Sequence, residues 1–272
     1  MLISLDAIHL EYEDHGDGRA VVMVMGSGAD GRVWHLHQVP ALLEAGYRVI
    51  TFNNRGIPPS YEGAEGFTIE DMAADLCGLI EALDIASCLV VATSLGAYMA
   101  LEAALTRPDL IDGMVLVAAG GRSDVTRQAL AAGEKALHAT DEAVPASYAA
   151  VVRAMLHLSP STLNDSEKMR DWLDLLRTTR PMADGARAQL DLAPMPDRLD
   201  AYQKVIAPCH VVSFEDDLIT PPHLSRELAA TLPDATHTTI PDCGHYGYLE
   251  DPDAVNREII GFFSRISRGG NE

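Results

Sequence analysis

Ser94 sits in the run Leu89-Val90-Val91-Ala92-Thr93-Ser94-Leu95-Gly96, where an apolar β-type stretch turns at once into the helix-forming segment 97–105. A strand that reaches a helix through one serine lifts its hydroxyl off the sheet edge in a strained corner, the layout of a nucleophile elbow. Only small residues fit two positions to either side, and Ala92 and Gly96 meet that demand, although glycine is usual at the first. A serine hydroxyl attacks only when a base takes its proton and a carboxylate orients the base. Downstream, one loop carries Glu215, Asp216 and Asp217 after the buried run 209–214. Another carries His245 after the last β-type run, 235–240, and no other of the ten histidines has such a setting. In an architecture with such an elbow the order expected along the chain is serine, acid, histidine.

Those loops need a sheet to hold them together. Short β-type runs at 3–5 and 8–13 open the chain, and continuous apolar runs follow at 20–25, 48–52, 88–92 and 113–118, as expected of strands buried on both faces. Helical patterns lie between them. One spans 34–45 and closes at Gly46, another starts at Thr68 with Glu70 and Asp71 in its first turn, and a third spans 97–105. The alternation predicts a doubly wound α/β fold with a mostly parallel sheet. It breaks after Gly121. Segments 126–139, 143–157, 165–178 and 182–190 read as short helices punctuated by prolines, and the βα rhythm resumes at 209. The expected organisation is a core of 1–124 and 206–272 with an inserted all-helical cap, or lid, of 125–205. The closing helix is expected over 253–266 and the tail 267–272 as disordered.

The chain has 272 residues, 40 acidic against 20 basic, for a net charge of −20. Such a surface repels nucleic acid and anionic membranes, which excludes both as expected partners. The start of the chain has no secretory-signal pattern, and no apolar run reaches the roughly 20 residues of a membrane span. Cys77, Cys88, Cys209 and Cys243 are scattered without metal-ligand spacing and read as free thiols, so a cytoplasmic protein is expected.

With these motifs the chain resembles α/β-hydrolase-fold proteins with a helical cap, of the group that contains cofactor-free haloperoxidases, esterases and lactonases. The resemblance implies an eight-stranded sheet. It aligns the family's G-x-x-D-x-x-x-P loop so that Asp217 falls at the acid position and Pro221 at the proline, with Phe214 where glycine is usual and Asp216 as the alternative acid. The family's G-H-x-x-x-x-E-x-P is matched by Gly244, His245, Glu250 and Pro252. The implied oxyanion hole takes one backbone N–H from Leu95 and a second from Ser27, in the loop Met25-Gly26-Ser27-Gly28, where Gly26 permits the close turn. In the loop that usually reads D-x-R-G-x-G-x-S, Asn53, Asn54, Arg55 and Gly56 are followed by Pro58-Pro59.

A serine nucleophile excludes the relatives that use a carboxylate and points to attack on a carbonyl. The expected reaction is hydrolysis of a medium-sized, largely apolar ester, lactone or thioester by Ser94, Asp217 and His245, without metal or organic cofactor. The only partner this requires is its small-molecule substrate, and an oligomer is compatible. Gly26, Trp34, Met99, Met155, Trp172 and Tyr246 are candidate substrate-binding residues, joined by Leu175, Leu176, Met182 and Met195. A lyase, cyclase or acyl-transfer reaction on the same scaffold is the alternative, and a binding protein without turnover a further one.

Overall fold

The continuous apolar runs fold as strands because their residues have two faces to cover. The computed structural model describes residues 1–6, 8–61, 63, 66–140, 144–178, 184–192 and 194–269. Its strands are β1 (Leu2–Ser4), β2 (His9–His15), β3 (Ala20–Val24), β4 (Arg48–Phe52), β5 (Cys88–Thr93), β6 (Ile111–Val117), β7 (Cys209–Phe214) and β8 (Ala235–Ile240). They form one eight-stranded sheet in the order β1-β2-β4-β3-β5-β6-β7-β8. The β1/β2 and β2/β4 pairs are antiparallel and the rest parallel. Every residue of β3, β5 and β7 is buried, whereas β2 and β8 are partly exposed.

The helices up to β6 are α1 (Gln38–Glu44), α2 (Ile69–Ala82) and α3 (Leu95–Thr106). Between β6 and β7 run α4 (Val125–His138), α5 (Ala146–His157), α6 (Pro160–Asn164), α7 (Ser166–Thr178), α8 (Asp184–Asp191) and α9 (Leu199–Tyr202). The chain continues through α10 (Pro222–Thr231), α11 (Gly247–Glu250) and α12 (Pro252–Gly269). Strand side chains alternate between the two faces of the sheet. Val22, Val24, Val90, Ala92 and Leu116 pack with α2 and α3, while Val21, Met23, Val91, Val117 and Val212 pack with α1 and α12. Thr68 caps α2 reciprocally with Asp71, which fixes the start that the sequence marks.

Between β6 and β7 no strand occurs among the described residues, as the proline-punctuated sequence predicts. The helices there have their own small core of Ala150, Ala154, Leu158 and Leu176. Two expectations change. The helix expected at 34–45 divides into a 3₁₀ turn, Gly31–Leu36, and α1. Pro40 has no N–H to donate to the preceding turn, so an α-helix has to restart with it among the first residues. The closing helix also extends to Gly269, through residues expected to be disordered. Ala143, Met182 and residues 270–272 lie outside the described residues. Among the described residues no helix is long and apolar enough to cross a membrane.

Candidate active site

The parallel strands present their C-terminal ends on one edge of the sheet, the edge at which open α/β sheets build sites. Thr93 ends β5 and Leu95 begins α3, so Ser94 alone makes the turn, with φ 52° and ψ −120°. A non-glycine residue there costs about 1–3 kcal/mol and persists only when its surroundings enforce it. The Ser94 N–H donates to Val117 O at 3.0 Å. Gly96 permits the close fit, since a Cβ there would lie 2.7 Å from the carbonyl oxygens of Val24 and Met25. Ala92 is fully buried and paired between Val24 and Leu116, so its methyl fills the core beneath the elbow.

The two downstream loops converge on Ser94. His245 Nε2 lies 3.2 Å from Ser94 Oγ, and His245 Nδ1 lies 2.8 Å from Asp217 Oδ2. The other oxygen of Asp217 accepts the backbone N–H groups of Ile219 and Thr220, each at 2.8 Å. Both Asp217 and His245 are buried. The carboxylate draws the proton to Nδ1 and leaves Nε2 as the acceptor facing the hydroxyl. Asp216 takes no part in this array. Its side chain is partly exposed, and burial together with Glu215, Asp242 and Glu250 raises its pKa. Glu250 braces the histidine loop, accepting Gly244 N–H at 2.7 Å and the Ser159 N–H and hydroxyl at 2.9 and 2.8 Å. Cys243 is buried, which pushes its thiol up to about 12 and away from nucleophilic use.

The loop after β3 lies against the elbow, and a Cβ on Gly26 would come within 3.2 Å of Ser94 Cβ. Among the described residues the backbone N–H groups of Leu95 and Ser27 have no protein acceptor. Asn54 donates to Met25 O at 2.8 Å, and Asn53 accepts Gly31 N–H at 2.8 Å. Gln189 of α8 accepts Gly28 N–H at 2.7 Å and donates to Arg55 O at 2.7 Å. Arg55 is itself held by Asp75. The sequence marks Asn54 only as part of its loop, with no role, and does not mark Gln189. A pair of amides at a strand end is a weak signal, and nothing local marks Gln189.

The cavity beside Ser94 has a volume of about 50 Å³. Ser27, Ser94, Leu95 and Met195 line it, but most of the candidate wall residues lie elsewhere. Trp34 is buried in the core against Tyr248, and Met99 is buried on the sheet side of α3. Met155 and Leu175 are exposed, and Leu176 belongs to the small core of the helical insertion. Trp172 stacks on Tyr246, whose ring packs on His157 beside His245. The rest of the wall is Tyr98, Arg122, Ser123, Arg127, Gln189, Ile219, Thr220 and Leu224. Tyr98 stands four residues after Ser94, in the first turn of α3, and that spacing is a signal the sequence offers. Glu13, His15 and His35, whose ligand atoms lie within 4.8 Å of one another, have metal-ligand chemistry but do not line this cavity.

A serine corner engaged by histidine, at the carboxyl edge of a sheet wound in this way, defines the α/β-hydrolase class. The chain belongs to the alpha/beta hydrolase family, whose model matches residues 21–258. It is similar to the putative non-heme bromoperoxidase BpoC of Mycobacterium tuberculosis, with 45% identity covering 95% of this chain and 99% of that protein. The crystal structure of BpoC from strain H37Rv superposes with a TM-score of 0.91 at 44% identity, covering 98% of this chain and 97% of the other. A putative carbamate hydrolase, RutD of Variovorax paradoxus, is 29% identical over 96% of this chain and 98% of its own. A thermophilic esterase from Thermogutta terrifontis has a TM-score of 0.81 at 26% identity, covering 98% of both chains. The chain is an enzyme of hydrolase type.

Proposed function

We propose that the chain is a serine hydrolase that cleaves an ester, lactone or thioester through an acyl-enzyme. The observation that carries this reading is the contact of Ser94 Oγ with His245 Nε2, at 3.2 Å, backed by Asp217 at 2.8 Å. As Ser94 Oγ attacks the carbonyl carbon, its proton passes to His245 Nε2. Asp217, fixed by two backbone N–H groups, holds the imidazole and stabilises the imidazolium. The N–H groups of Leu95 and Ser27 receive the oxyanion. His245 then protonates the leaving group, and a water that gives its proton to the same nitrogen releases the acid. The helices α4–α8 act as a cap, with Arg127 and Gln189 reaching the cavity wall from α4 and α8.

A fluorophosphonate probe followed by peptide mapping tests the nucleophile. Labelling is expected at Ser94, and Ser94→Ala is expected to lose turnover of 4-nitrophenyl esters. Folded protein that leaves Ser94 unlabelled removes the reading. Bromide oxidation by hydrogen peroxide that survives Ser94→Ala would favour instead the activity in the name of the mycobacterial relative.

A further inference from the structure

Two arginines, Arg122 and Arg127, line the cavity, and no acidic residue does. The chain as a whole has 40 acidic against 20 basic residues, and the carboxylates that meet these arginines, Glu227 and Glu134, stand outside the wall. Neither arginine has spent its donors. Arg122 gives Nε and Nη2 to Glu227, at 2.7 and 3.2 Å, which fixes its plane and leaves Nη1 without a partner among the described residues. Arg127 makes one long contact, Nη1 to Glu134 at 3.4 Å, so Nε and Nη2 remain unpartnered among the described residues. Its side chain is only 20% exposed. Tyr98 also lines the cavity, and its hydroxyl has no hydrogen-bond partner among the described residues. Burial raises the Tyr98 phenol, so it keeps its proton and can donate. Leu95, Met195, Ile219 and Leu224 supply an apolar portion of the same wall.

Planar, charge-assisted donors of this kind recognise carboxylate, and here they stand in the space that Ser94 opens into. We propose that the substrate is an ester, lactone or thioester whose short acyl chain ends in a carboxylate bound by Arg127 and Arg122, with Tyr98 as a further donor. The proposal rests on the serine-hydrolase reading and replaces the expected medium-sized, largely apolar substrate with a short acyl chain that is apolar along its length and anionic at its end. The cavity, at about 50 Å³, has room for a short acyl group.

Hydrolysis of 4-nitrophenyl hydrogen glutarate and 4-nitrophenyl pentanoate by the full chain tests it, because the two esters differ in a terminal carboxylate against a methyl. After subtraction of spontaneous hydrolysis, kcat/KM is expected to favour the anionic ester by about tenfold or more, the range of one charged hydrogen bond. Arg127→Gln is expected to lower that anionic-to-neutral ratio by about tenfold or more. Equal kcat/KM for both esters in the wild type, with Ser94 labelled by the fluorophosphonate, overturns the carboxylate subsite and leaves the hydrolase reading standing. Free glutarate gives a readout that needs no turnover. Calorimetric binding to the wild type, weakened in Arg127→Gln, supports the subsite even if neither ester is cleaved, and no heat of binding at tens of millimolar overturns it.

Discussion

Asp216 and Asp217 are adjacent and chemically identical, yet the backbone gives them opposite surroundings. Asp217 is buried, accepts the N–H groups of Ile219 and Thr220, and touches His245. Asp216 faces partly outward among other carboxylates. If Asp217 is the orienting acid, Asp217→Asn loses control of the imidazole tautomer and kcat falls by about 10³–10⁴-fold, whereas Asp216→Asn changes it by less than about threefold. Steady-state rates on a 4-nitrophenyl ester decide between them, and a larger loss from Asp216→Asn would reverse the assignment. At this scale the sequence was legible where a motif fixes spacing: serine between small residues, and histidine after glycine with Glu250 five residues on. It was not legible for the cavity wall. Trp34 and Met99 have the composition of pocket residues, but large apolar side chains serve a core equally well, and in this chain they do.

Elements matter here because loops from distant strands have to be held together. The loop that presents the Ser27 N–H is tied to the β4 loop by Asn54 and to α8 by Gln189, across 161 residues of sequence for the Gln189–Gly28 contact. Strand and helix periodicity reports which face is buried, and so the sheet, its parallel character and the helical insertion could be read in advance. Periodicity is silent on tertiary hydrogen bonds of this kind, which depend on a loop and a helix meeting in space. Asn54→Ala leaves Met25 O buried without its donor, which costs about 1–3 kcal/mol. At about 2–4 °C per kcal/mol, the melting temperature is expected to fall by about 2–12 °C. If the Ser27 N–H is an oxyanion donor, kcat is also expected to fall by about tenfold or more, because a small displacement of such a donor is costly. Calorimetry and ester kinetics on one preparation check both. A variant that loses stability but keeps kcat would show that the loop does not take part in the reaction.

Over the whole molecule, three histidines contribute to acid sensitivity, His210 buried and His157 and His237 half-buried. His157, where α5 meets the histidine loop, is lowered from the ordinary 6.5 to about 3 by burial and then by the neighbouring His245. His210 on β7 and His237 on β8 are also lowered, each chiefly by burial, although Glu258 opposes the shift at His210. For each, the unfolded chain takes up a proton at higher pH than the native protein. Their contribution is complete above about 6.5 and is lost as pH falls below it, towards 3 for His157. The raised Asp75 and Asp216 carboxylates act in the opposite direction. Between pH 7.5 and 5, His157 alone removes about 2 kcal/mol, or about 4–8 °C in melting temperature. His157→Gln cannot take up that proton, so its melting temperature is expected to fall less over the same interval, whatever its value at pH 7.5. Thermal unfolding of both proteins across the interval measures the difference. Parallel pH profiles would mean that His157 titrates normally in the native state and that the docking of α5 does not exclude its proton.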